Sequence, residues 1–85
     1  MAPASTTLRR VLSGVNDANI RFDDLTQLLR VLEFVVRIRG GHHIFSRDGI
    51  PEIINLQPLG RMAKTYQVRQ VRQIVIKYHL GEETG

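Results

Sequence analysis

The sequence predicts a small α+β domain in which helices pack on one face of a three-stranded antiparallel sheet. Apolar residues recur at helical spacing before residue 33 and again after residue 65. Between these regions, residues 34–57 are rich in β-branched and aromatic residues, and two glycine-containing turns divide them into segments of strand length. Because an amphipathic helix must bury its apolar face, packing on one side of this sheet is the expected solution.

Length and composition limit the classes of protein that this chain can belong to. Its 85 residues suffice for one compact domain, so 1–85 is treated as a single unit without an internal repeat. No apolar run approaches the roughly 18 residues of a membrane-spanning helix, and the first ten residues lack the apolar core of a secretion signal. There is no cysteine, which excludes disulfides and thiolate metal sites. We therefore expect a cytoplasmic protein that has no contact with a membrane.

The first two elements are expected to be helices. A short accessory helix within residues 5–15, ending near Gly14, is predicted by apolar residues at i, i+3, i+4 and i+7, namely Leu8, Val11, Leu12 and Val15. After a turn, the second helix opens at Phe22, where Asp23 and Asp24 favour its positive end. Its core face consists of Phe22, Leu25, Leu28, Leu29 and Leu32.

The three strands follow from alternation and turn residues. FVVRIR (34–39) alternates between two faces, and Gly40-Gly41 is typical of a tight hairpin turn, so HHIFS (42–46) is the returning strand. RDGIP (47–51) is expected to form a second turn. EIINLQ (52–57) then forms a third strand, with Ile54 and Leu56 on one face and Ile53 and Asn55 on the other.

A basic helix closes the domain. PLGRMAKT (58–65) is expected to be a polar loop, and helical periodicity then continues through residues 66–78. The apolar arc of this helix contains Val68, Val71, Ile74, Val75 and Tyr78. Tyr66 and Tyr78 are expected to be core residues rather than stacking platforms for bases. Residues 81–85 form a polar tail.

The charge of the chain favours a polyanionic partner. The formal net charge is +4, and no acidic residue occurs between Ile53 and Gly81. The same stretch holds five basic residues, Arg61, Lys64, Arg69, Arg72 and Lys77. Clustered positive charge attracts phosphate backbones over long range. The alternative is that these side chains only keep a small domain soluble.

The adjacent histidines His42 and His43 are the residues most suited to chemistry. Successive strand residues face opposite sides, so only one of them can approach a given substrate or metal ion. No zinc site is expected, because neither histidine has a carboxylate at ligand spacing. A histidine titrates near neutrality and, with a neighbouring cation, can cleave RNA without a metal or other cofactor. Alternatively, both are ordinary strand residues beside a turn.

Residues 19–80 resemble the HicA family of toxins from bacterial toxin–antitoxin pairs. The resemblance runs through RFDDLTQLLRVLEF, RIRGGHHIFSRDGIPEIINLQP and MAKTYQVRQVRQIVIKYHL. It implies a double-stranded-RNA-binding-like fold of the order helix, three strands, helix, here preceded by the accessory helix. It also implies metal-independent cleavage of mRNA by one histidine on the second strand, and a HicB-type antitoxin that covers the site.

The resemblance also assigns site residues. The family pattern glycine, serine, any residue, histidine falls on Gly40, Gly41, His42 and His43, which makes His43 the catalytic residue. Gly41 stands where the family usually has serine, and a glycine there is expected to loosen the hairpin. Apart from the resemblance, the turn and the clustered positive charge give the candidate RNA contacts, which are Gly40, Gly41, His42, Arg39, Arg61, Lys64, Arg69 and Arg72.

Several roles stay open on the sequence alone. Arg37 and Arg39 share a face and either grip RNA or are solvated on an edge strand. Arg69 and Arg72 bind either RNA or an acidic antitoxin surface. Two rival functions use the same residues: a non-catalytic RNA-binding module that reads A-form shape, and a toxin that has lost its activity.

Overall fold

A computed structural model describes residues 2–82 and confirms a small α+β domain with three helices and a three-stranded antiparallel sheet. The helices are α1 (Ala4–Ser13), α2 (Phe22–Val31) and α3 (Thr65–Lys77). The sheet contains β1 (Val35–Arg39), β2 (His42–Arg47) and β3 (Ile50–Leu56). A 3₁₀ turn (Asp17–Asn19) precedes α2, and a small hairpin of β4 (Pro58–Leu59) and β5 (Met62–Ala63) precedes α3. Of the expected tail, residues 83–85 lie outside the described part.

None of the helices in the described residues is long and apolar enough to cross a membrane.

The register of the sheet determines which side chains share a face. The strands lie in the order β1, β2, β3, and His43 pairs with Ile38 on β1 and with Leu56 on β3. Phe45 pairs with Val36 and Ile54 in the same way. Directly paired residues point to one side, so these residues form the inner face. This face packs against the helices around Phe45, whereas Ile38 on the edge strand is 57% exposed. His42 lies on the opposite, outer face, as alternation predicted.

The core lies between the inner face of the sheet and the apolar faces of α2 and α3. Phe45, Ile54 and Leu56 are completely buried. The predicted core face of α2 is confirmed, because all five of its residues are buried: Phe22, Leu25, Leu28, Leu29 and Leu32. On α3, four of the five predicted residues are buried: Val68, Val71, Ile74 and Val75. Tyr78 is only partly buried.

The predicted core face of α1 is only partly correct. Val11 is fully buried, but Leu12 is 42% and Val15 is 77% exposed. The helix ends at Ser13 and Gly14 takes a left-handed conformation with φ of 70°, so Val15 lies beyond the helix and leaves its periodicity. The side of α1 that packs is shifted toward Thr7, which is 1% exposed.

Two segments expected to be turns or loops contain strand. Ile50 and Pro51, assigned to a turn, belong to β3, where an edge position tolerates a proline without an N–H group. The expected loop 58–65 forms the β4/β5 hairpin, whose strands of two residues each are too short to give an alternating pattern. The hairpin is fixed to the chain before α2, because Phe22 N donates to Arg61 O and Ala63 N donates to Ile20 O, both at 2.9 Å.

Glu52 connects β3 to the end of α3, and this contact predicts a pH dependence of stability. Its carboxylate accepts hydrogen bonds from Lys77 Nζ at 2.7 Å and from the Tyr78 hydroxyl. The hydrogen bond from Lys77, followed by that from Tyr78, lowers the pKa of Glu52 from 4.5 to about 2. A carboxyl whose pKa is depressed on folding stabilises the fold above its ordinary pKa, and this stabilisation is lost as the pH falls through the folded value.

We therefore expect wild type to lose more stability between pH 4.5 and pH 2 than the variant Glu52→Gln. Urea unfolding followed by circular dichroism at both ends of this window measures the difference. Glu82→Gln is the matched control for loss of a negative charge, since the Glu82 side chain is 74% exposed. An equal acid response in wild type and Glu52→Gln would contradict the role assigned to this contact.

Candidate nucleic-acid site

The turn between β1 and β2 needs glycine at its first position only. Arg39 pairs with His42, which leaves Gly40 and Gly41 as a two-residue loop. Gly40 has a φ of 58°, whereas Gly41 is outside the left-handed region. This combination of signs is that of a type II′ turn, which favours glycine first and accepts other residues second. A Cβ on Gly41 would meet only Gln57 Nε2, at 4.0 Å.

Serine at Gly41, the residue usual in the resembling family, is therefore expected to be tolerated. Gly41→Ser should raise the free energy of unfolding by a few tenths to about 1 kcal/mol, because the unfolded chain loses freedom. Gly40→Ser should lower it by about 1–2 kcal/mol, because a side chain is strained at positive φ. Urea unfolding of the two variants provides the comparison, and equal losses in both would show that the turn is not of this type.

The His42 ring is held at both of its nitrogens on the outer face. Nδ1 lies 3.1 Å from Asn55 Oδ1, and Nε2 lies 3.2 Å from Gln57 Nε2. An amide nitrogen only donates and an amide oxygen only accepts. We therefore assign a neutral ring in which Nδ1–H donates to Asn55 and Nε2 accepts from Gln57.

Gln57 is itself fixed by a buried side chain of α3. Gln67 is 1% exposed. We assign its amide so that the nitrogen donates to Gln57 O at 3.1 Å and the oxygen accepts from Gln57 N at 2.9 Å. The opposite orientation would give instead a single longer bond from Lys64 N, at 3.4 Å. The backbone of Gln57 is thus anchored, while its side chain reaches His42.

Two arginines share the outer face with His42. Arg39 pairs with His42, and Arg37 pairs with Ile44, which in turn pairs with Asn55. Both arginines are exposed, and within the described chain neither forms an ion pair. This side of the sheet therefore presents uncompensated positive charge next to an oriented imidazole.

His43 has a different environment on the inner face. Its ring is partly buried and meets Phe22 edge to face, with centroids 5.0 Å apart and planes at 76°. Of its two ring nitrogens, only Nδ1 is a buried atom without a hydrogen-bond partner in the described residues. An N–H group at Nδ1 would lack an acceptor, at a cost of about 1–3 kcal/mol. Of the two tautomers, the one with its proton on Nε2 is therefore favoured.

A cleft beside Phe22 collects cations from two elements. It has a volume of about 340 Å³ and is lined by Arg21, Phe22, Asp23, Pro58, Gly60 and Arg61. The β4/β5 hairpin brings Arg61 to the start of α2, and so to the helix that contacts His43. Lys64 follows this hairpin directly and is partly buried at the start of α3. Sequence reasoning missed Arg21, because only tertiary contacts bring it next to Arg61.

The basic side chains of α3 separate into two environments. Arg72 Nη1 lies 2.9 and 3.2 Å from the two carboxylate oxygens of Asp17 and donates to Val11 O at 3.1 Å. Its side chain is 19% exposed, so its contacts belong to the fold, and we leave it out of the proposed RNA surface. Arg69, one turn earlier, is exposed and stays a candidate for RNA or antitoxin.

Tyr66 does not lie in the core, contrary to expectation. It occupies the second position of α3 and is 55% exposed. The buried residues of α3 begin only at Gln67, one position after Tyr66, so the ring lies outside the packed part of the helix. An exposed ring beside Lys64 is available to stack on a base.

Comparison with known proteins adds no identification, since no family model, no curated protein and no solved structure matches this chain.

Proposed function

We propose that this protein is a metal-independent endoribonuclease toxin of the HicA type, which cleaves mRNA and is neutralised by a HicB-type antitoxin. The observation that carries the proposal is a glycine hairpin that presents two adjacent imidazoles, His42 and His43, with Arg39 paired directly opposite His42. Imidazole and cation are the two components that RNA cleavage without a metal requires.

The arrangement of elements agrees with this proposal. A double-stranded-RNA-binding-like fold of the order helix, three strands, helix corresponds to α2, β1 to β3 and α3, with α1 as the accessory helix. The β4/β5 hairpin would be an addition to this plan. It places Arg61 beside the start of α2, where a phosphate of the RNA strand would meet it.

The reaction needs few groups. A base takes the proton of a ribose 2′-hydroxyl, the oxygen attacks the adjacent phosphorus, and the bond to the 5′-oxygen of the next nucleotide breaks. Positive side chains stabilise the charged phosphorane, and here the candidates are Arg39, Arg61, Lys64 and Arg69. The resemblance assigns the acid–base role to His43. Contacts to phosphates carry no base information, so we expect little sequence preference from these cations.

An antitoxin partner is supported by apolar residues on the outer face. Val35 is 68% and Ile53 is 59% exposed, on the face that also carries Arg37 and Arg39. A partner protein that covers this face would bury these apolar side chains and remove them from water. A reading frame for a HicB-like protein adjacent to the gene would support this part of the proposal.

The test is cleavage of an end-labelled single-stranded RNA in EDTA by purified protein that is free of antitoxin. Wild type is expected to cleave, and the double variant His42→Ala/His43→Ala is expected to leave the RNA intact while its circular dichroism spectrum is unchanged. The double variant makes the test independent of which histidine acts. If wild type leaves the RNA intact, the proposed nuclease activity is wrong.

A non-catalytic RNA-binding module is the second candidate. It is favoured by His43 Nδ1, which lacks the acceptor that normally orients a catalytic imidazole. Retained binding of uncleaved RNA in a gel-shift assay would support this module or a toxin that has lost activity. Expression in bacteria separates these from an active toxin, which alone would arrest growth.

A further inference from the structure

The two histidines differ in the property that a general base requires. A catalytic imidazole is held by an acceptor on one ring nitrogen, while the other nitrogen faces the group that loses its proton. His42 meets this condition, because Asn55 Oδ1 accepts from its Nδ1. His43 does not, because its Nδ1 is buried without a partner in the described structure.

We infer that His42, rather than His43, is the general base of the proposed ribonuclease, with Asn55 as its positioning residue. The inference rests on the proposed function and disagrees with the assignment that the family resemblance gives. The imidazoles lie on opposite faces of β2, so one scissile phosphate can reach only one of them.

The Gln57 amide marks the place of the substrate hydroxyl. Its N–H group donates to His42 Nε2 at 3.2 Å, which is the contact that a ribose 2′-hydroxyl would make before it loses its proton. The Gln57 backbone is anchored by Gln67, so the side chain can leave without disturbing β3.

The charges around His42 suit a phosphodiester. Arg37 and Arg39 face it from β1, and its neighbours on the other side, Asn55 of β3 and Gln57 just after β3, are uncharged. Thus no carboxylate among the described neighbours repels the substrate, and two cations are available for the negative charge that develops on the phosphorane.

The step balances without an added cofactor. His42 Nε2 takes the 2′-hydroxyl proton as the oxygen–phosphorus bond forms. The bond from phosphorus to the 5′-oxygen then breaks, and this oxygen takes a proton from water. The products are a 2′,3′-cyclic phosphate and a 5′-hydroxyl, and His42 returns its proton to the solvent.

The experiment measures cleavage of the same RNA in EDTA by His42→Ala, His43→Ala and Asn55→Ala, with and without imidazole in the buffer. His42→Ala is expected to lose about 10²–10⁴-fold in rate, and free imidazole should restore part of it. Asn55→Ala should lower kcat more than it raises KM and should alter the pH profile. His43→Ala, if folded by circular dichroism, is the competing variant, and its rate should fall less than that of His42→Ala and should not be restored by imidazole.

The outcomes separate this inference from the proposed function. Activity retained by His42→Ala, or lost without rescue by imidazole, would overturn His42 as the base while wild-type cleavage keeps the nuclease. Loss confined to His43→Ala would return the role to His43. Absence of cleavage by wild type would reject the proposed function itself.

Discussion

Replacing Phe45 with alanine is expected to lower the free energy of unfolding by about 3–5 kcal/mol. The ring is completely buried in the centre of β2, where it pairs with Val36 and Ile54 and packs under the helices. Truncation removes apolar contacts and leaves a cavity that a closely packed core fills only in part. A domain of 85 residues has a total stability of roughly 4–13 kcal/mol, so this one substitution removes a large share of the total.

Urea unfolding followed by far-ultraviolet circular dichroism measures this effect, since the chain contains no tryptophan. Ile53→Ala is the matched control, because Ile53 lies on the adjacent strand with its side chain outward and 59% exposed. It should change stability by no more than about 0.5 kcal/mol. A loss below about 1 kcal/mol for Phe45→Ala would contradict the packing of the inner face.

Strands and helices in which apolar residues recur at a regular spacing could be predicted from the sequence. Segments too short to show such a spacing could not. The five apolar residues of α2 lie on one arc, and all are buried. Alternation likewise placed Ile54 and Leu56 on one face of the third strand, and their burial identifies it as the inner face. By contrast, β4 and β5 have two residues each and depend on contacts with residues 20–22, which are far away in sequence.

The candidate site shows the same limit of sequence reasoning. Alternation correctly separated His42 from His43, but their polar partners depend on the β2/β3 register. Asn55 and Gln57 lie 13 and 15 residues after His42, and the pairing contains an irregularity between Phe45 and Arg47. A register shift of one residue would turn these side chains to the other face. The environment of each imidazole therefore became visible only in the folded chain.

Arg72 and Arg69 appear equivalent in the sequence, yet their replacement is expected to have different effects. Arg72→Met should lower the free energy of unfolding by about 2 kcal/mol, because it leaves the Asp17 carboxylate and Val11 O without their charged donor. The side chains of Arg72 and Asp17 are mostly buried, with 19% and 14% of their surfaces exposed, so water replaces the contact poorly. RNA affinity of the folded fraction should change little, since this guanidinium points into the fold.

Arg69→Met is the matched substitution on the same helix. Arg69 is exposed, so stability should stay within about 0.5 kcal/mol, while loss of one phosphate contact should weaken RNA binding and lower the salt slope by about 1. Urea unfolding and fluorescence anisotropy at several salt concentrations measure the two properties in parallel. The opposite result, weaker RNA binding by fully stable Arg72→Met, would place Arg72 in the RNA surface. It would also mean that its ion pair with Asp17 opens when RNA binds.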